Sequence, residues 1–378
     1  MKATIRLGKW FGVPVGLHYS WFIIAWLITL SLVSQFSAQN AGWTAATIWG
    51  LSIATAGLFF VCIVLHELSH ATVARMSGMP VRGITLFALG GIAAIEKEAA
   101  SPSKEFWMAI AGPIASLVIG FGCRGLAMAA GWTPQGPAPS PLAALLGWLG
   151  YINIALALFN LIPGFPLDGG RVLRSIVWAV TRNADRATAV AARIGQGVGV
   201  LFIASGLFSA LMRNNPGGLW IAFIGWFLLG AARATYAQTQ LAAMLRGLSV
   251  ADIMARDCAI IDADKTLRHF VDDELLRFSA RCFAVSRKGQ VLGLITPDDV
   301  RQVARDRWEQ TTVSDAMRPL ESMHPLQPDV PAAEALNVMG RENLNQLPVV
   351  AQGHLEGVVT RSYLAHVLQL RSELQTSG

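Results

Sequence analysis

Residues 61–76 read VCIVLHELSHATVARM and put His66, Glu67 and His70 inside an otherwise apolar run. On a helix the two histidines are one turn apart on the same face. That spacing lets two imidazoles bind one zinc ion, and Glu67 beside them can act as general base toward water held at the metal. Polar groups of this kind cost a few kcal/mol each at the centre of a bilayer, so three together in an apolar span call for a function. A catalytic zinc takes a third protein ligand and leaves a fourth position to water. Among the acidic residues of the apolar part, Asp168 in NLIPGFPLDGGRV is the other one expected at membrane depth. Pro163, Pro166, Gly169 and Gly170 around it break the helix and free the chain to turn the carboxylate inward. The depths agree: His66 lies nine residues before Arg75, about 13 Å inside that cytoplasmic boundary, and Asp168 lies three before Arg171.

Other residues nearby invite weaker readings. Cys62, one turn before His66, reads as a small buried hydrophobe. His18 reads as an interfacial or packing residue. Asn160, eight residues before Asp168, reads as a group that orients a substrate carbonyl, whereas Asn153 fits helix packing and substrate orientation equally. Gly112, Ser116 and Gly120, spaced by four, let helices approach closely and need no chemistry.

The elements that must position these groups follow from composition. The chain of 378 residues is 53% hydrophobic and 14% charged. Six of its 24 acidic residues fall in residues 1–240 (Glu67, Glu96, Glu98, Glu105, Asp168, Asp185) and eighteen in the rest. A membrane-like part therefore precedes a soluble-like one. Spans are expected at about 17–36, 46–76, 106–130, 142–162 continuing to about 180, 190–212 and 218–240. The sequence before the first, with Lys2, Arg6 and Lys9, lacks a small-residue cleavage pattern and reads as the lead into a retained helix. Basic residues gather at alternate ends: Lys2, Arg6 and Lys9, then Arg75, Arg82, Lys97 and Lys104, then Arg171, Arg174, Arg182 and Arg186, then Arg233 and Arg246. This bias places both termini in the cytoplasm. Arg124 sits awkwardly near the outer end of the third span. The net charge of +6 is thus a topology signal, and no clustered basic patch with interleaved aromatics suggests nucleic acid. The four cysteines stand far apart and suggest no disulfide framework.

Between spans two and three, residues 84–95 have strand-like composition on both sides of Gly90 and Gly91, which predicts a membrane-embedded β-hairpin turning on those glycines. The tail repeats itself. VADIM at 250–254 matches VSDAM at 313–317, and GQVLGLIT at 289–296 matches GHLEGVVT at 353–360, offsets of 63 and 64. Two units of about 60 residues are expected.

HELSH at 66–70, LFALGG at 86–91, AGP at 111–113 and NLIPGFPLDGGR at 160–171 resemble the site-2 proteases, intramembrane zinc metalloproteases. The resemblance implies that His66, His70 and Asp168 hold zinc, that Glu67 is the general base and that Asn160 positions the substrate or oxyanion. Ser116 departs from it, since relatives often have asparagine there, which puts a polar role at that position in doubt. The tail resembles a pair of cystathionine-β-synthase (CBS) domains. That likeness implies an adenine-nucleotide site with Thr296 toward phosphate and Asp299 toward ribose, while Tyr363 replaces the acid of the second repeat. Dimerisation through the CBS pair without a nucleotide stays open.

The expected fold is a polytopic α-helical membrane protein with about six transmembrane helices and an embedded β-hairpin, followed by an α/β soluble CBS pair; its divisions are 1–245, 246–308 and 309–378. The expected function is zinc-dependent hydrolysis of peptide bonds within or near a membrane-anchored protein substrate, in the plasma membrane of a prokaryote, modulated by the CBS pair. A CBS-regulated transporter or channel would explain the spans and tail, but not Glu67 between two metal-spaced histidines. An inactive zinc-binding scaffold is opposed by the intact Glu67.

Overall fold

The structure, a computed structural model, describes residues 4–87, 90–95, 99–134, 136, 138–256, 258–275, 282–342, 344–352 and 354–376. Lys2, Lys97, Glu96, Glu98 and the Ala88 and Leu89 of LFALGG lie outside the described residues, as does Gly353 of GHLEGVVT. The chain forms two compact units, Met1–Thr239 and Gln240–Gly378.

The first unit begins with strands β1 (Ile5–Trp10) and β2 (Val13–Leu17), then helices α1 (Ser20–Gln39) and α2 (Ala45–Met76). Strands β3 (Val81–Phe87) and β4 (Gly90–Ile95) follow, and then α3 (Pro102–Ala129), α4 (Pro141–Asn160), α5 (Asp168–Thr181), α6 (Ala184–Met212) and α7 (Gly217–Leu245). All of these helices except α5 are long and apolar enough to cross a membrane, which makes six, as expected. Their starts are written locally. Thr44, Ser101, Ser140 and Asn183 each accept a backbone N–H of the first turn, and Pro102 and Pro141 stand at the opening of their helices, where a missing N–H costs nothing.

Two expectations are corrected here. The basic N-terminal segment is a hairpin, not a plain lead into a helix. Phe11 and Gly12 both take positive φ, 49° and 80°, and turn β1 back onto β2. The second hairpin does not turn on its glycines: Phe87 pairs with Gly90 and Leu86 with Gly91, so both glycines belong to the returning strand. The four strands make one sheet in the order β1-β2-β3-β4, with β2 parallel to β3. Val13, Val15 and Leu17 of β2 and Ile84 and Leu86 of β3 pack on Val64, Leu68 and Ala71 of α2, which lays the sheet along the helix that carries the histidines. Arg75 fixes the first turn by donating to the Phe11 carbonyl at 2.8 Å. Arg124 lies over the Trp132 ring, 5.2 Å from its centroid, which accounts for a cation near the outer end of α3.

In the second unit each repeat contributes a short helix, α8 (Val250–Ile253) and α11 (Val313–Ala316), and a longer set of strands. Strands β5 (Cys258–Asp262), β6 (Cys282–Arg287), β7 (Gln290–Ile295) and β8 (Arg318–Pro319) form one sheet, with helices α9 (Leu267–His269) and α10 (Pro297–Arg301) between them in the chain. Helix α12 (Ala332–Glu342) precedes β9 (Gln346–Ala351) and β10 (His354–Thr360), and α13 (Arg361–Thr376) ends the described chain. The repeats exchange their leading segments: β8 of the second pairs with β7 of the first, and Ala255 of the first bridges to Val358 of the second. Cys258 is disulfide-bonded, which corrects the expectation of no disulfide; it stands opposite Cys282 in the β5–β6 register.

Close helix contact in the first unit rests on small residues. A side-chain carbon at Gly150 would stand 3.0 Å from the Arg124 nitrogen and the Gly120 carbonyl. Gly150→Val should therefore overpack the α3–α4 contact and cost about 1–3 kcal/mol, read as a lower unfolding temperature of the purified protein in detergent.

Candidate metal centre

Helix α2 brings His66 and His70 to one face, 4% and 6% exposed. The chain then leaves α4 at Asn160 and makes a tight non-helical turn before α5 opens with Asp168. The glycines behind Asp168 let α5 begin there: a Cβ at Gly169 would meet the Leu161 and Ile162 carbonyls, and one at Gly170 would meet Gly164 and Phe165 backbone. The result is a triangle. Asp168 Oδ2 is 3.2 Å from His66 Nε2 and 3.2 Å from His70 Nε2, and the two Nε2 atoms are 3.3 Å apart. Ligands at 2.0–2.1 Å in tetrahedral geometry are separated by about 3.3 Å, so the three atoms match one face of a zinc tetrahedron. Among the described residues this is the group of histidine, cysteine and carboxylate ligands that could hold a metal ion. Gly112 of α3 supports the same reading. A Cβ there would collide with Nε2 of both histidines, so the absent side chain keeps room at the ligand atoms.

The far side of each imidazole is also fixed. His70 Nδ1 donates to the Met108 carbonyl at 2.6 Å, and His66 Nδ1 lies 2.9 Å from Ser116 Oγ. The Met108 carbonyl can only accept, so His70 carries its proton on Nδ1 and turns the Nε2 lone pair toward Asp168 and His66; Ser116 Oγ can accept from His66 Nδ1 in the same way. Ser116, fully buried, thus has the polar partner that its departure from the family pattern put in doubt.

A cavity of about 560 Å³ contains the triad, Glu67, Asn160 and Arg171. Its walls include Gly90 and Gly91 of β4, and Trp220, Phe223 and Phe227 of α7. Gly91 packs against Glu67 so closely that a Cβ would stand 2.5 Å from its Cγ. Asn160 therefore joins the site. Asn153 does not: it is fully buried, and its amide donates to the Leu149 carbonyl of its own helix at 2.8 Å. His18 sits elsewhere, its ring 2.8 Å from Ser20 Oγ, and Cys62 is a free, buried thiol outside the ligand group.

Sequence reasoning missed Glu105, Arg171 and Arg174 as neighbours of the site. Glu105 Oε2 accepts from Arg174 Nη1 at 2.5 Å and Oε1 from Arg171 Nε at 3.5 Å. The available signal was the spacing of Glu105, Met108, Gly112 and Ser116, a single stripe of α3.

In the second unit, Thr296 and Asp299 are close together, but in a helix cap. Asp299 Oδ2 accepts from the Thr296 N–H at 3.0 Å and its hydroxyl at 2.5 Å, and Oδ1 accepts from Arg318 Nε at 2.7 Å.

The site and fold define a polytopic helical protein in which two histidines and an aspartate come together as a group that could hold a metal ion. The model of Peptidase family M50 matches residues 54–133 and 126–204, and the CBS domain model matches 250–306 and 312–370. A Synechocystis protein with the name "Putative zinc metalloprotease sll0528" is 37% identical over 98% of this chain and 96% of its own length. "Putative zinc metalloprotease Rip3" of Mycobacterium tuberculosis is 33% identical over 98% of this chain and 94% of its own. Among solved structures, the site-2 protease from Methanocaldococcus jannaschii is 30% identical, with a TM-score of 0.41 over 61% of this chain and 94% of that one. The chain belongs to Peptidase family M50, the site-2 proteases, and carries two CBS domains. It is a multi-pass integral membrane protein and a metalloprotease.

Gly112→Ala should displace the two imidazoles and lower bound zinc well below one per chain, checked by metal analysis of the purified protein. Full occupancy at unchanged affinity would remove Gly112 from the centre.

Proposed function

We propose that this protein hydrolyses peptide bonds within or near a transmembrane segment of a membrane-anchored protein, with one zinc ion held by His66, His70 and Asp168. The observation that carries the reading is the ligand triangle with Glu67 in the same cavity. A zinc ion held by these three residues would supply Lewis acidity to the scissile carbonyl and make the attacking water more acidic. Glu67 accepts the proton of the attacking water and returns it to the leaving amine. The Asn160 amide donates to the carbonyl oxygen as charge develops on it. Gly91 stands directly against the Glu67 side chain, and Trp220, Phe223 and Phe227 of α7 give the cavity an apolar wall.

Substrate capture follows from the sheet. β4 is its edge strand, and Gly90 and Gly91 line the cavity. An unwound substrate backbone can add to that edge whatever its side chains. The rival transporter or channel leaves Glu67 without a task.

We assign the membrane part to residues 1–245 and the CBS repeats to 246–308 and 309–378. The plasma membrane of a prokaryote, with both termini cytoplasmic, fits the basic ends of the spans. In the tail, Thr296 and Asp299 are the proposed contacts for phosphate and ribose of an adenine nucleotide, and the CBS pair is the proposed dimer contact. A nucleotide there must either displace Arg318 from Asp299 or use the remaining donors of that arginine.

Glu67→Gln should abolish cleavage of co-expressed single-span proteins while keeping about one zinc per chain. Cleavage at the wild-type rate would remove Glu67 as the base. Calorimetry on the full chain with ATP, ADP and AMP should show heat that Asp299→Ala loses. No heat with the wild type would reduce the tail to a dimerisation module.

A further inference from the structure

We propose that Glu105 is a positioning residue for the metal ligand Asp168, acting through Arg171 and Arg174 of α5. The inference rests on the metal-centre reading above. Helix α5 is short, 14 residues, and enters from a non-helical turn. Its first residue must nevertheless hold a carboxylate oxygen within a few tenths of an ångström of the histidine nitrogens. Something has to fix the axis of that helix relative to the histidines.

The faces of α3 and α5 supply it. On α3, Glu105, Met108, Gly112 and Ser116 form one stripe, separated by three, four and four residues. The last three touch or accommodate the imidazoles. On α5, Asp168, Arg171 and Arg174 are each three residues apart. Glu105 is completely buried, and Arg174 is 8% exposed. The carboxylate takes Arg174 at 2.5 Å and Arg171 at 3.5 Å, so it binds the first and second turns of α5 at once. Arg174 is pinned from its other side, since its Nε donates to Thr188 Oγ1 of α6 at 2.8 Å, and Thr188 in turn donates to the Ala184 carbonyl. The guanidinium also lies 5.5 Å from the Trp178 ring. One carboxylate therefore joins the helix that orients the histidines to the helix that begins with the third ligand.

A buried ion pair is weak evidence of a stabilising role, because well-packed apolar side chains of similar volume often serve stability as well or better. What the pair adds over apolar packing is direction: a fork of donors on a carboxylate defines distance and orientation together. This distinction is the basis of the test.

Zinc affinity is measured on the full-length protein in detergent by competition with a chelator, alongside thermal unfolding of the metal-free form. Glu105→Gln should weaken zinc binding by about ten- to a hundredfold, the range for groups that orient metal ligands from outside the ligand set. Thr188→Val should weaken it less. The decisive variant is the apolar pair Glu105→Met with Arg174→Met, which removes both charges. Its metal-free form should unfold at or above the wild-type temperature, yet bind zinc at least tenfold more weakly. Wild-type zinc affinity in that variant would overturn the proposal. A zinc loss in Glu105→Gln and in the apolar pair that simply tracks a fall in unfolding temperature would also overturn it, leaving Glu105 a stability residue. A wild-type protein that binds no zinc would instead defeat the metal-centre reading.

Discussion

The constraint on which the membrane unit depends is that two imidazoles and a carboxylate must meet within 3.3 Å inside an apolar protein. Each group is costly to bury alone, and the cost is offset by the partners each one finds in the cluster. The small residues of the core follow from this. Gly112 leaves room at both Nε2 atoms, Gly91 admits Glu67, and Gly169 and Gly170 allow a helix to start against the backbone of the preceding turn. Gly164 and Gly195 similarly bring the turn against α6, where a Cβ on Gly164 would stand 2.6 Å from the Gly195 Cα. Glycine appears here where helices and turns come within backbone distance of one another or of the three clustered side chains, which is a packing demand.

The centre was legible in the sequence because its context was so apolar. Three polar residues at helical spacing, and one further acid in a proline- and glycine-broken stretch, are conspicuous in a chain with six acidic residues in its first 240. The six spans were legible for the same reason, since length and hydropathy decide them. What failed depended on pairing between distant segments. The N-terminal strands look like a basic lead because β2 is paired across 69 residues with β3, Val15 with Ile84. The glycines of the second hairpin invited a turn, but both pair within β4: Gly91 brings backbone against Glu67, while Gly90 takes a φ of 134° with open space around it. Asn153 and Asn160 are alike in sequence and differ in fate, since one faces the cavity and the other bonds back to its own helix.

The tail shows a different limit. Its repeat was plain from matching ends 63 and 64 residues apart, yet a repeat does not say which copy of a segment pairs with which sheet. Both choices satisfy the same local patterns. The exchanged choice ties the two copies into one body: Val250 donates to Val330 and Ser314 to Ala263, so each repeat supplies hydrogen-bond partners to the other. Exchange also carries chemistry. Arg318 stands at the head of the second repeat and reaches Asp299 at the end of the first, an ion pair that neither repeat could form alone. Asp299 is 4% exposed at its side chain and Arg318 is 45% exposed, so the arginine is the solvent-facing partner and the acid the buried one. A ligand that approaches Asp299 must therefore offer hydroxyl donors good enough to replace a charge-assisted bond, or leave Arg318 in place and use its remaining donors for an anion. On the nucleotide reading proposed above, the ligand carries both kinds of group, and the exchanged segment is what would bring the contacts for ribose and phosphate together.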